Sequence, residues 1–108
     1  MLLNVQEPLT QGRAAAFHTV SALSEIEQRQ GEAALQNARK ILDDAGAKYV
    51  AQIKVGPVAK TIAQSATADQ CDAIVMGTAG RPLVGTLVAE RLSNKVVRMS
   101  SVPVTLVK

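Results

Sequence analysis

Strand-like and helix-like stretches alternate along the whole of this 108-residue chain, and that alternation limits the possible folds most strongly. Short β-branched or apolar runs predict four strands, and apolar residues spaced by three or four predict the helices between them. The expected order is β-α-β-α-β-α-β. Strands that are separated by helices form parallel sheets through right-handed crossovers. The sequence therefore predicts one α/β domain over residues 1–108, an open parallel sheet with helices on both faces.

The first half of the chain predicts one strand followed by a long helical span. The strand covers residues 1–7 and ends at Pro8, because proline cannot continue a ladder. The helical pattern covers about residues 14–45, and Gly46 is well placed to terminate it. Gly31 weakens the middle of this span, which leaves open whether it holds one helix or two. The clearest apolar face consists of Ala34, Leu35, Ala38, Ile41, Leu42 and Ala45.

The second half predicts three strands and two helices. A strand over residues 49–55 precedes a helix from Val58 to about Thr67, whose expected buried residues are Val58, Ile62, Ala63 and Ala66. Residues 73–76 form a continuous apolar run, which is typical of a strand with both faces covered. A last helix, to about Ser100, and a closing strand over residues 102–107 complete the pattern. The apolar face of that helix consists of Val88, Leu92, Val96 and Met99.

Composition excludes several classes of function. Aromatic residues are 2% of the chain, so the core is built from Ala, Val, Leu and Ile, and base stacking on single-stranded nucleic acid is poorly supported. Cys71 and His18 are the only residues of their types, so a disulfide, a zinc site and a Ser/His or Cys/His catalytic pair each lack parts. We assign no catalytic residue and no metal. A chain with one cysteine can form no intrachain disulfide, which suits a reducing cytoplasm. We identify no signal peptide and no membrane-spanning stretch.

A glycine loop follows the predicted third strand and precedes a helix. It reads Gly77-Thr78-Ala79-Gly80. Glycines at such a place let the backbone approach a phosphate, and the N–H groups of the loop and helix start suit an anion. A tight turn that needs a positive φ explains the same glycines equally well. Both interpretations stay open at this point.

The residues around this loop resemble the universal stress protein family. The resemblance lies in Ile74–Gly80, Leu92–Val97 and Ser101–Val107, with Leu2–Pro8 looking like the family's second strand. It covers essentially the whole chain and is most specific from residue 71 onward. It implies a Rossmann-like α/β domain, five-stranded and usually dimeric in the family, that acts in stress tolerance.

One branch of the family binds ATP through a glycine motif, which this chain matches only in part. Gly77 and Gly80 correspond to its first two glycines, but Glu90 and Arg91 stand where the motif continues with a glycine and a small hydroxyl residue. The carboxylate of Glu90 opposes a triphosphate, because like unit charges about 4 Å apart repel by about 4 kcal/mol at an effective dielectric near 20. Gly85-Thr86 offers a similar pair, but it lies before the position that the motif requires.

The candidate nucleotide-binding residues are Gly77, Thr78, Gly80, Arg81 and Ser93. Ser93 matches a family hydroxyl position, although a solvent-facing helix serine is the simpler interpretation. Arg81 could reach a phosphate, and an ordinary exposed arginine explains it as well. The resemblance therefore makes ATP possible as a ligand, and the chain requires no cofactor.

The family's first strand and first helix normally precede the segment that opens this chain, so the sequence resembles an N-terminally truncated fold with four strands. In the family that strand lies mid-sheet, in the order 3-2-1-4-5, and ends in an acidic residue that helps to hold adenine. We expect residues 2–7 and 73–77 to pair directly instead, in the order 3-2-4-5. An element exchanged with a second copy, or a shift of the helix near residues 14–30, remains open.

Three functions are compatible with these residues. The leading hypothesis is a non-enzymatic stress-response domain that forms a homodimer through Val102–Val107, or through an exchanged element, and binds ATP weakly or not at all. The alternative is an ATP-binding stress protein, or a slow ATPase, that uses the Gly77–Gly80 loop. A weaker third idea is an anion-binding or nucleic-acid surface formed by Arg81, Arg91, Lys95 and Arg98.

Overall fold

A computed structural model describes residues 1–8, 20–77 and 84–108, with the backbone alone for residues 20, 21 and 84–91. Within these residues the helices and strands follow the predicted order. They are β1 (Leu2–Gln6), α1 (Val20–Asp44), β2 (Ala51–Val55), α2 (Val58–Ala68), β3 (Ile74–Gly77), α3 (Val84–Met99) and β4 (Val104–Val107). The α/β class, the parallel pairing and the four strands are confirmed.

The chain forms two compact units, Met1–Pro57 and Val58–Lys108. In the first, β1 pairs with β2 in parallel, from Leu2 opposite Ala51 to Gln6 opposite Val55. In the second, β3 pairs with β4 in parallel, over the length of both strands.

The expected direct pairing of residues 2–7 with 73–77 is wrong for the described residues. They form two separate two-stranded sheets, β1-β2 and β3-β4. Each pair is joined by its own helical crossover, which closes a β-α-β unit without any ladder between β1 and β3. The strand order 3-2-4-5 is therefore not formed.

Helix α1 runs unbroken through Gly31, so this glycine does not separate two helices. Gly31 is buried, and a Cβ built on it would lie 2.5 Å from the Ile53 side chain of β2. No methyl group fits in that space. The glycine lowers helix propensity, but it lets the helix backbone lie directly on the sheet.

The buried stripe of α1 differs from the expected apolar face. Leu23, Glu27, Gly31 and Leu35 are buried at a spacing of four residues, whereas Ile41 is 62% exposed. Helix α1 contacts both β1 and β2, and its buried residues end at Leu35, so the expected face in the last turns is only partly covered. Of the expected residues only Leu35 is buried, with Ala38 and Leu42 half-buried.

In the second unit α2 packs on α3, and the core there is built from small residues. Buried positions include Ala63 and Ala66 of α2, as expected, and Val96 of α3, which is fully buried. Val58 and Ile62 are only half-buried. Met99 was expected in the same core but is 51% exposed, because it is the last residue of α3 and follows the packed turns.

Strand β3 has one covered face rather than two. Its burial alternates between half-buried and exposed, and Val75 is 71% exposed. The expectation that residues 73–76 are covered on both sides is therefore wrong. A continuous apolar run indicates what a strand can bury, but within the described residues only the Ile74 and Met76 side of β3 is sheltered.

Candidate functional site

The predicted phosphate loop begins at the carboxyl end of β3. Gly77 is the last residue of that strand and lies opposite Val107 in the ladder. In open α/β sheets, ligands bind beyond the carboxyl ends of the strands, so Gly77 has the position that the loop hypothesis requires. Thr78, Gly80 and Arg81 lie outside the described residues. The structure therefore places one end of the candidate loop.

Nothing in the described backbone requires a glycine at position 77. Among the described glycines, Gly46 has a positive φ and Gly77 does not. Gly77 therefore lacks the left-handed conformation that the turn interpretation needs. A Cβ built on Gly77 would lie 3.8 Å from the carbonyl oxygen of Val107, which is an ordinary contact. The tight-turn interpretation therefore does not explain this glycine, and Gly80 is not tested.

Ser93 is buried, with 2% of its surface exposed. It lies in α3, in the packed core that also holds Val96, and it has an interaction partner within the chain. The simpler interpretation of a solvent-facing serine is wrong, because the face of α3 that carries Ser93 and Val96 packs inward. Its hydroxyl is not open to a ligand in this conformation. Glu90 and Arg91 precede it in the same helix, and their side chains lie outside the description.

Sequence patterns did not indicate a polar cluster at the end of α1. The Tyr49 hydroxyl donates a hydrogen bond to Asp43 Oδ1 over 2.8 Å. This bond to a carboxylate raises the pKa of Tyr49 above its ordinary value of 10.0, since the protonated phenol makes it, while the guanidinium of Arg39 opposes the shift. Nη2 of Arg39 also lies 3.8 Å from Oε2 of Glu32. The turn between α1 and β2 brings Tyr49 back to the end of the helix. The spacing of residues in the sequence does not reveal this contact.

The described residues hold one free thiol and no cluster of metal-ligating side chains. Cys71 is a free, half-buried thiol that precedes β3. Among the residues described, no three His, Cys, Asp or Glu side chains lie close enough together to hold a metal ion. In the same part of the chain, none of the helices is both long enough and apolar enough to cross a membrane.

Comparison with known proteins tests the resemblance. A sequence model of the universal stress protein family matches residues 1–108. A universal stress protein of Methanocaldococcus jannaschii is 28% identical over 86 residues, which is 80% of this chain and 51% of that protein. The chain thus spans about half the length of this curated relative. Since the family match covers the whole sequence and the elements alternate as that fold requires, the chain belongs to the universal stress protein family.

Proposed function

We propose that this chain is a non-enzymatic stress-response domain that works as a homodimer and binds ATP weakly or not at all. Membership of the universal stress protein family supports the role in stress response. The observation that supports weak or absent ATP binding is the burial of Ser93. This candidate phosphate ligand lies in the packed core beside Val96 of α3. Under this proposal the domain acts through its surface, in the cytoplasm.

The sequence after the loop supports weak nucleotide binding independently. Glu90 and Arg91 lie in α3, where the ATP-binding branch of the family has a glycine and a small hydroxyl residue. A carboxylate near a triphosphate is repulsive, and a bulky side chain limits how closely a phosphate approaches the backbone. Both differences from the family motif weaken the binding of a triphosphate.

Strand β4 is the surface that we propose for the dimer. Leu106 is 43% exposed and Val107 is 49% exposed. Within the described residues β4 is the last strand of the two-stranded sheet that it forms with β3. A strand at the end of a sheet, with exposed apolar side chains, is a template for a second strand. The same edge of a second copy completes the pairing symmetrically.

A substitution in β4 tests the dimer. Val107→Arg places a cation at the proposed interface, and we expect sedimentation equilibrium to show a monomer where the unchanged chain is a dimer. Val97→Arg is the matched control, because Val97 is similarly exposed, at 47%, but lies on α3. A monomeric unchanged chain, or equal dissociation of both variants, contradicts the proposal. Circular dichroism establishes that both variants fold.

A second candidate function, ATP binding at the Gly77–Gly80 loop, has one observation in its favour. Gly77 ends a strand at the correct edge, and neither its φ nor its contacts with the described residues require glycine there. Close approach of a ligand to the backbone is a remaining reason for the residue. This candidate function predicts that Gly80→Val abolishes ATP binding and leaves the fold intact. If the unchanged chain does not bind ATP, the candidate function is wrong.

A further inference from the structure

A groove lies along α2 in the second unit. It has a volume of about 470 Å³, within the range of small-molecule sites. It is lined by Lys60, Ala63, Gln64, Thr67, Ala68, Met99 and Ser101. We call it the α2–α3 groove.

The spacing of the lining residues explains the shape of the α2–α3 groove. The residues from α2 recur at intervals of three and four, so they lie on one face of the helix. From Lys60 to Thr67 the helix rises about 10 Å. The small side chains of Ala63 and Ala68 leave space above this face of the helix. The half-exposed side chain of Met99 lies along its side. The result is an elongated apolar depression.

One end of the groove carries a positive charge that no described ion pair compensates. Lys60 is exposed, and the ion pairs of the described residues, Arg29–Glu25 and Arg39–Glu32, do not include it. Among the described residues, no acidic side chain lines the groove. Its charge is therefore complementary to an anion.

The other end presents hydrogen-bond acceptors. Thr67 Oγ1 donates to the carbonyl oxygen of Ala63 over 3.3 Å and lies 3.1 Å from Ser101 Oγ. Since the Thr67 proton is used, Ser101 donates to Thr67 in this pair, and each hydroxyl keeps lone pairs for a further donor. Gln64, between the two ends, offers both a donor and an acceptor.

We infer that the α2–α3 groove binds an organic carboxylate with an elongated apolar body, its carboxylate at Lys60 and its body over Ala63, Ala68 and Met99. A donor group at the far end of such a ligand meets the Thr67–Ser101 hydroxyl pair. Charge complementarity and the length of the groove select this class over a neutral or compact ligand. The inference does not depend on the proposed function, because it involves neither the glycine loop nor β4.

Titration of the labelled chain with octanoate, followed by amide NMR, tests this inference. We expect saturable shifts near residues 60–68 and 99–101, with a dissociation constant of about 1 mM. Lys60→Glu should weaken binding about fivefold, because it replaces an exposed attraction with a repulsion. Lys95→Glu is the matched control, since it makes the same charge change on an exposed residue of α3 outside the groove, and it should leave the affinity unchanged.

Two further measurements distinguish specific binding in the groove from nonspecific hydrophobic binding. Ala68→Phe fills an exposed part of the groove and should abolish the shifts while the thermal unfolding of the chain stays cooperative. The neutral alcohol 1-octanol should bind several times more weakly than octanoate. Unsaturated shifts up to about 10 mM, equal loss in the two lysine variants, or equal binding of the alcohol would overturn the inference.

Discussion

At the residue scale, the ends of α1 and α2 show what a sequence does and does not reveal. Gly46 follows α1 with φ +70°, and the N–H groups of Gly46 and Ala47 donate to the carbonyls of Asp43 and Leu42. This is a Schellman motif, and the glycine predicted it. Gln70 follows α2 with φ +54° in the same pattern of bonds. Glutamine carries no signal for that conformation, so only the structure reveals the second motif.

Opposite substitutions at these two positions should therefore have opposite effects. Gly46→Ala forces a Cβ into the left-handed region and should lower the free energy of unfolding by about 1 kcal/mol. No atom of the described residues lies within 4 Å of the added Cβ, so the effect is conformational rather than steric. Gln70→Gly should raise the free energy of unfolding by about 1 kcal/mol.

Urea unfolding of both variants measures these changes. Gly46→Asn is the control, because asparagine tolerates this backbone region better than alanine and should lose less stability. A destabilised Gln70→Gly variant would show that the Schellman motif does not form at the end of α2.

The single tyrosine of the chain gives a second test at this scale. Its bond to Asp43 favours the protonated phenol, so Tyr49 should ionise above pH 10.0 in the folded protein. The sign follows from linkage: the stabilisation is present below the unfolded pKa and is lost as pH rises through the higher folded value. Asp43→Asn should bring the pKa of Tyr49 back towards 10.0.

An ultraviolet absorbance titration of the phenolate reads this directly, since no other tyrosine contributes. Asp44→Asn, the same change one residue away, should leave the titration unchanged. Identical curves for the unchanged chain and Asp43→Asn would exclude the hydrogen bond.

At the scale of elements, local patterns predicted the positions of the helices and strands more reliably than their surroundings. Residues 2–6 and 58–68 match the predicted elements closely. β4 begins at Val104 rather than Val102, because the Ser100 hydroxyl bonds to both the N–H and the carbonyl of Val102 and holds a turn there. The exposure of Val75 was not predictable, since an apolar run does not specify which of its faces another element covers.

The contact of α1 with β2 gives the element-scale prediction. An Ala at position 31 would normally stabilise a helix by about 1 kcal/mol relative to Gly. Here its Cβ meets the β-branched side chain of Ile53, which rotates little, so Gly31→Ala should instead cost about 1–3 kcal/mol. In an Ile53→Ala background the clash disappears, and Gly31→Ala should become stabilising.

A double-mutant cycle in urea measures that reversal of sign. Ala34→Gly, at an exposed position of the same helix, calibrates the ordinary cost of a glycine at about 1 kcal/mol. If Gly31→Ala destabilises equally with and without the Ile53 side chain, the helix does not rest on β2 through this glycine.

At the scale of the whole molecule, the sequence predicted the class of fold and the family but not the arrangement of strands. Alternating patterns indicate parallel strands because helical crossovers need them, and the pairs β1-β2 and β3-β4 confirm this. Which pairs adjoin depends on contacts distant in sequence, which no local pattern encodes. The candidate site was likewise predictable only locally: Gly77 lies at the expected strand end, whereas the burial of Ser93 follows from packing between helices.

Calorimetric titration with MgATP tests most directly the central claim that this member of the universal stress protein family works without holding the nucleotide. We expect no saturable heat up to about 1 mM ATP from a chain that unfolds cooperatively in the same buffer. Stoichiometric, Mg²⁺-dependent binding with a micromolar dissociation constant, abolished by Gly80→Val, would contradict the claim and identify the glycine loop as a working nucleotide site.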